Sequence, residues 1–239
     1  MSYRRWLLRR GPLLDHDTLF AVVYEKEHPL DVDAVRRAPH PVVATVANVD
    51  TGEAEYPDVR FGPTLAWLRA SGRLPLGTGP VVEIDGKRYL DGGITDPVPV
   101  ARAIEDGATE VVVVLNRPPG LRGPEPRAVT DLVARRFPAL ADAVRDHHGL
   151  HNRAVALAER PPAGVTVRIV RPATDTGVGR LTRDYRRVRL AIERGLADGA
   201  EFLRREAGVP DRWTLSVRVP RAPARDERAA PAGSVPHDE

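Results

Sequence analysis

The residues with the clearest potential for chemistry are Asp91, Gly92 and Gly93, within the stretch Y-L-D-G-G-I-T-D-P-V-P-V at positions 89–100. Glycine adopts backbone torsions closed to other residues and lets another chain segment come close. An aspartate between a strand and such a turn would lie at the edge of a sheet, where α/β proteins place their active sites. The alternative is that Asp91 only caps a tight turn, because aspartate is common in turns.

Other polar residues are weaker candidates for a site. His147 and His151 are four positions apart, so a helix would place them on one face beside His148 as a candidate metal site. Asp146 is the one carboxylate at ligand spacing, so a polar helix face is the better interpretation, and we expect neither a metal nor a cofactor. Asp96 precedes a proline, which indicates the capping residue of the next helix rather than a second catalytic carboxylate.

Composition excludes several classes of protein. The 239 residues include 36 lysines and arginines against 33 aspartates and glutamates, and the two signs are interspersed. Nucleic-acid-binding proteins usually concentrate basic residues on one face or arm, so we expect no nucleic-acid partner. The lack of cysteine excludes disulfides, thiol catalysis and cysteine-ligated zinc. No apolar run approaches the ~18 residues of a membrane span and the N-terminus shows no signal peptide, so we expect a cytoplasmic protein.

Strands that alternate with helices predict an α/β fold. The unbroken apolar run Val111–Leu115 is typical of a strand buried on both faces of a parallel sheet. Asp85-Gly86 lies between two β-rich tetrapeptides and predicts a hairpin with a type I′ turn. The pattern further predicts strands at 41–49, 53–59 and 165–170, and helices at 15–25, 64–70, 99–106, 129–160 with breaks at Pro138 and Gly149, and 181–206.

Several segments besides the D-G-G stretch carry a family resemblance. They are V-V-A-T-V-A-N-V-D-T-G at 42–52, W-L-R-A-S-G-R-L-P at 67–75, E-D-G-A at 105–108 followed by the apolar strand, His147-His148, His151-Asn152 and Arg171-Pro172. In this order they resemble the C-terminal two-thirds of bacterial patatin-like phospholipases, over about residues 5 to 205.

The resemblance implies a three-layer α/β/α sandwich, incomplete at its N-terminal end, and a Ser–Asp catalytic dyad with Asp91 as the proton acceptor. In that family a serine in G-x-S-x-G attacks an acyl ester, and a glycine-rich loop supplies the oxyanion-hole amides. The serines of this chain lie in no such motif, and no glycine-rich loop precedes them: Ser2, Ser71, Ser216 and Ser234. The resemblance therefore implies a lipid acyl hydrolase, a phospholipase or esterase, that retains Asp91 and lacks the nucleophile.

Two kinds of function stay open at this point. One is hydrolysis of a lipid or acyl-ester substrate, with contact to a membrane surface. The other is a non-catalytic lipid-binding or partner-binding protein, or one half of a split enzyme, which self-associates or is complemented by an N-terminal segment. We expect a truncated patatin-like domain at 1–208 and a short extension with a disordered Pro/Ala/Arg tail at 209–239.

Overall fold

The computed structural model describes residues 15–76, 78–120, 126–179 and 182–206. Among these residues, those up to Val178 form one compact unit and those from Gly179 on form a second. The domain boundary predicted at residue 208 and the predicted tail at 209–239 lie outside the described residues.

Helices and strands alternate along the described chain, as predicted for an α/β fold. The strands are β1 (Val46–Asn48), β2 (Ala54–Glu55), β3 (Val82–Ile84), β4 (Lys87–Asp91), β5 (Glu110–Val114) and β6 (Thr166–Val170). The α-helices are α1 (His16–Thr18), α2 (Val32–Arg36), α3 (Thr64–Ser71), α4 (Val100–Glu105), α5 (Arg127–Arg136), α6 (Ala141–Arg145), α7 (His147–Glu159) and α8 (Tyr185–Glu206). A π-helix covers Leu19–Glu27, and single 3₁₀ turns cover Gly92–Ile94 and Pro138–Leu140.

The first sheet is antiparallel, with the strand order β2-β1-β4-β3. On one face, Tyr89 and Val46 pack with Ala70 and Trp67 of α3. On the other face, Leu90 and Ala47 pack against α5, the 3₁₀ turn at Pro138–Leu140, and α6. Helices therefore cover both faces of this sheet, which gives the three-layer α/β/α arrangement.

The hairpin of β3 and β4 has the turn that the sequence predicts. Asp85 and Gly86 both have positive φ, 51° and 76°, as a type I′ turn requires at its two central residues. Asparagine, aspartate and glycine tolerate this conformation best, which is why this dipeptide is a strong hairpin signal. The turn fixes the pairing of Glu83 with Arg88 and so fixes the direction in which β4 runs towards Asp91.

The strand predicted at Val111–Leu115 forms as β5, but the expectation that it is buried on both faces is wrong. It pairs in parallel with β6 in a separate two-stranded sheet. One face packs on α4 and α7 through Val111 and Val113, whereas Val112 and Val114 on the other face are 52% and 75% exposed. Because side chains alternate between faces along a strand, a cover on one side leaves every second valine in solvent.

The N-terminal segment, residues 15–30, departs from the predicted helix at 15–25. It begins as a single α-turn capped by Asp15, whose carboxylate accepts the Thr18 N–H, and continues as the π-helix. The wider hydrogen-bond spacing is evident at His28, whose N–H donates to the carbonyl of Val23 at 2.7 Å. Phe20 is the buried residue of this helix.

The predicted helix at 129–160 is divided into shorter pieces. It breaks at Pro138 as predicted, but the second break falls at Asp146, between α6 and α7, and Gly149 lies inside α7. The second compact unit contains α8, a 22-residue amphipathic helix. Within the described ranges, no helix is both long and apolar enough to cross a bilayer.

Candidate functional site

Asp91 is the last residue of β4 and the residue that caps the following 3₁₀ turn. Its carboxylate accepts a hydrogen bond from the backbone N–H of Gly93 at 2.8 Å. Its own N–H donates to the carbonyl of Arg73 at 2.9 Å, and across the sheet it pairs with Val46 of β1. The half-buried side chain is thereby held by a strand, a turn and a neighbouring loop, so its orientation is fixed by backbone atoms.

The two glycines of the motif have different steric roles. A Cβ at Gly92 would lie closer than 3.0 Å to the carbonyl carbon and oxygen of Thr45, and real side chains do not tolerate such a distance. At Gly93 a Cβ would meet the Asp91 carboxylate itself at 3.1 Å. The first glycine therefore lets the turn lie directly against the chain that enters β1, and the second leaves room for the carboxylate.

Ser71 is the serine that falls within the described residues, at the end of α3. Its hydroxyl donates to the carbonyl of Leu68, one turn earlier in the same helix, at 3.0 Å. A hydroxyl has one proton to donate, so this geometry does not direct the Ser71 proton towards Asp91. Ser2, Ser216 and Ser234 lie outside the described residues.

Asp96, five residues beyond Asp91, is anchored by a residue that sequence reasoning missed. The Tyr56 hydroxyl donates to the Asp96 carboxylate at 2.7 Å. The prediction that Asp96 caps the next helix is wrong, because α4 begins only at Val100 and Pro99 occupies the cap position. Tyr56 precedes Asp96 by 40 positions, and no local pattern connects residues so far apart.

A cation lies on the Tyr56 ring as well. The guanidinium of Arg102 in α4 is 4.7 Å from the ring centroid and also donates to Asp106 at 2.8 Å. Burial and the hydrogen bond to Asp96 raise the pKa of Tyr56 above its ordinary value, so this hydroxyl stays protonated and donating at neutral pH. The chain from Arg102 through Tyr56 to Asp96 ties α4 and the residues after β2 to the loop that follows Asp91.

A groove of about 560 Å³ lies beside this chain of contacts. Its aromatic wall consists of Tyr56, Trp67 and Tyr89, the last two in edge-to-face contact with ring centroids 5.1 Å apart. Glu55, Asp85, Lys87 and Arg102 also line the groove, and the Tyr89 hydroxyl donates to Glu55 at 2.8 Å. The groove therefore presents aromatic and charged groups together.

The histidines considered for a metal site do not form one in the described part of the chain. His147 and His151 both lie on α7, as the four-residue spacing predicts. No group of three histidine, aspartate or glutamate side chains in the described ranges has an arrangement that could hold a metal ion.

Comparison with known proteins divides the chain into two regions. Residues 7–104 match the family described as patatin-like phospholipase, a range that contains Asp91, both motif glycines and the groove. Residues 137–207 match a domain of unknown function, DUF6363. The chain is also 27% identical over 258 aligned positions to "Uncharacterized protein YjjU" of Escherichia coli (strain K12), with 96% of this chain and 69% of that protein covered.

Proposed function

We propose that the chain is part of a lipid acyl hydrolase in which Asp91 accepts the proton of a serine nucleophile, because residues 7–104 match the patatin-like phospholipase family. The observation that carries the proposal is the position of Asp91 at a strand end, with its carboxylate oriented by the Gly93 N–H. A carboxylate held by backbone atoms is already oriented before the substrate binds, and general-base catalysis is faster when the base is positioned in advance.

The reaction assigns a distinct task to each group. A serine hydroxyl attacks the acyl carbonyl carbon while Asp91 takes its proton, and backbone N–H groups stabilise the oxyanion that forms. The oxyanion then collapses, the ester bond to the alcohol breaks, and Asp91 returns the proton to the departing alcohol oxygen. Asp91 next takes a proton from water as the water oxygen attacks the acyl carbon, the bond to the serine breaks, and the proton returns to the serine oxygen. None of the serines in the 239 residues stands in a G-x-S-x-G elbow, so the proposal places the nucleophile and the oxyanion amides on a segment outside these residues.

A second candidate function is binding of a partner segment without catalysis. The observation that favours it is the β5–β6 sheet, where Val112 and Val114 are exposed side by side on one face. Burial of a valine side chain is worth about 1.5–3 kcal/mol, so a segment that covers this face would gain stability. The two candidates are compatible, since a segment that carries the nucleophile would also complete the fold.

The coding DNA upstream of the Met1 codon gives the first test. An open reading frame there, or in an adjacent gene, that encodes a glycine-rich loop and a G-x-S-x-G elbow would supply the groups that the mechanism needs. With that segment present, Asp91→Asn should lower p-nitrophenyl ester hydrolysis by about 10²–10⁴-fold, the usual contribution of a general base. The 239 residues alone should hydrolyse the ester no faster than their Asp91→Asn variant.

Asp33→Asn is the matched control, because this aspartate lies on α2 and its side chain forms an exposed, loose ion pair with Arg36 at 3.8 Å. It should leave the rate unchanged in both settings. A rate in the completed enzyme that survives Asp91→Asn would refute the role given to Asp91. Hydrolysis by the 239 residues that depends on Asp91 would show that another nucleophile, such as water, is activated.

A further inference from the structure

The most unusual buried group in the described part of the chain is the guanidinium of Arg73. The residue follows α3 and is 2% exposed. Its Nη2 donates to Asp17 of the N-terminal segment at 2.7 Å, and its Nη1 donates to the carbonyl of Thr78. Its Nε–H is buried and has no hydrogen-bond partner among the residues that the structure describes. The hydrogen-bond donors of a buried cation are normally all satisfied. The Nε–H of Arg73 is therefore an exception, because it is a donor that is not used.

A second arginine adds positive charge to the same place. Arg69, one turn earlier on α3, approaches the same Asp17 oxygen at 3.9 Å. Its Nε is also buried, and no described residue accepts a hydrogen bond from it. Burial, and next the charge of Arg73, lower the pKa of the neighbouring His16, which disfavours a third positive charge at this place. Two guanidinium charges therefore face one carboxylate, and that carboxylate is 53% exposed.

The backbone leaves space for this cluster. Gly79 has φ of 119°, and a Cβ there would lie 2.5 Å from Nη1 of Arg73 and 3.7 Å from the Asp17 carboxylate. A larger residue would fill the place where the guanidinium and the carboxylate meet. Guanidinium groups bind phosphate groups through two adjacent N–H donors, so two neighbouring arginines with unused donors suit a phosphate group.

We propose that Arg69 and Arg73 form a binding site for a phosphate group, and that Asp17 occupies this site as an internal competitor. Asp17 enters from a segment whose π-helix buries a single residue, Phe20. The Phe20 ring of this segment also lies 5.6 Å from the Arg69 guanidinium, so the segment contacts both arginines. A phosphate dianion in place of the Asp17 carboxylate would bring two negative charges and a further oxygen to the two guanidinium groups. The site does not involve the Asp91 side chain, so its test reads binding and is independent of any hydrolysis.

Calorimetric titration with inorganic phosphate, at ionic strength held constant with chloride, tests the competition. Asp17→Asn should bind phosphate roughly tenfold or more tightly than the unmodified chain, because removal of the competitor frees the site. Asp33→Asn, the surface control, should bind as the unmodified chain does. Arg69→Gln introduced into the Asp17→Asn variant should abolish binding. Equal affinity in Asp17→Asn and the unmodified chain, or binding that survives Arg69→Gln, overturns the proposal.

Removal of a carboxylate that pairs with a buried cation can unfold a protein, so a second measurement uses the unmodified chain. Phosphate that displaces Asp17 should speed hydrogen exchange in residues 16–27 relative to chloride, while β4 stays protected. The Arg69→Gln chain should show no such response. Unchanged exchange at saturating phosphate overturns the proposal even if Asp17→Asn does not fold.

Two further ligands distinguish a lipid headgroup from free inorganic phosphate as the source of the phosphate group. Dihexanoyl phosphatidic acid carries the phosphate on short acyl chains, and dihexanoyl glycerol carries the same chains without it. Tighter binding of phosphatidic acid than of inorganic phosphate identifies a lipid headgroup as the ligand, and equal binding identifies the free anion. Equal binding of dihexanoyl glycerol and phosphatidic acid contradicts a phosphate site.

Discussion

At the scale of single residues, the Asp91 motif depends on a backbone contact that only glycine permits. Gly92 lies against the Thr45 carbonyl so closely that any Cβ would overlap it. We therefore expect Gly92→Ala to destabilise the fold by about 2–4 kcal/mol, because the turn or β1 must move. Urea denaturation followed by circular dichroism measures the change.

Gly195→Ala provides the matched control for this prediction. Gly195 lies inside α8, and a Cβ there would have no atom of the described residues within 4 Å. Alanine in an open helix interior is favoured by about 0.5–1 kcal/mol over glycine, so this substitution should stabilise its helix or leave it unchanged. Equal stability of the Gly92→Ala variant and the unmodified chain would contradict the close approach at Thr45.

What sequence reasoning finds at this scale depends on the distance between partners along the chain. Asp91 is identifiable because its carboxylate accepts from Gly93, two positions away. Tyr56 and Asp96 are 40 positions apart, and Asp17 and Arg73 are 56 apart. No local motif records such pairs, because they are set by how whole elements pack. The catalytic role of Asp91 stays a prediction.

At the scale of elements, the β3–β4 hairpin depends on its two positive-φ residues. Gly86 has φ of 76° and faces open solvent, so alanine there would be strained but not in collision. We expect Gly86→Ala to cost about 1–2 kcal/mol, the penalty of the left-handed conformation for a residue with a Cβ. Thermal unfolding should show a correspondingly lower midpoint.

Asp85→Asn tests the same turn with the opposite expectation. Asparagine tolerates positive φ and is the preferred residue at this position of a type I′ turn, so stability should stay the same or rise slightly. A larger loss from Asp85→Asn than from Gly86→Ala would mean that the Asp85 carboxylate, rather than the turn conformation, stabilises the hairpin.

Most of the helices and strands can be predicted from the sequence, whereas the burial of their side chains is harder to predict. The hairpin, α3 and β6 follow from local turn chemistry and periodicity. The run Val111–Leu115 predicts a strand correctly. Its apolar residues indicate which side chains the strand can bury, but they do not show whether another element packs on each face. The sequence predicts an α-helix for the N-terminal segment, whereas a π-helix differs from an α-helix in the spacing of its backbone hydrogen bonds.

At the scale of the whole molecule, the exposed face of the β5–β6 sheet should control association. Val112 and Val114 form an apolar pair beside an unpaired edge in the described part of the sheet, and such edges pair readily with other chains. We expect the chain to self-associate at micromolar concentration, and the double substitution Val112→Lys, Val114→Lys to shift it towards monomer. Sedimentation velocity over a concentration series measures the association of the unmodified chain and of the double variant.

Val129→Lys is the control for added charge, because Val129 is 48% exposed on α5, away from this sheet. It should leave the association unchanged. Two results contradict the prediction: a chain that is monomeric throughout the series, or a loss of association that Val129→Lys reproduces.

The parallel pairing of β5 with β6 also has a consequence for the order of folding. It joins residues 56 positions apart, from Glu110 and Thr166, whereas the hairpin joins Val82 to Tyr89 across seven. Closing the longer loop costs more chain entropy, and this cost comes before any stabilising contact forms. Non-local strand pairs therefore form late. The strand that carries Asp91 thus has a local partner early, while the exposed valines of β5 stay unpaired for longest. On the ribosome, β4 and its turn emerge complete while β6 is still unsynthesised, so β5 spends that interval without its only described neighbour.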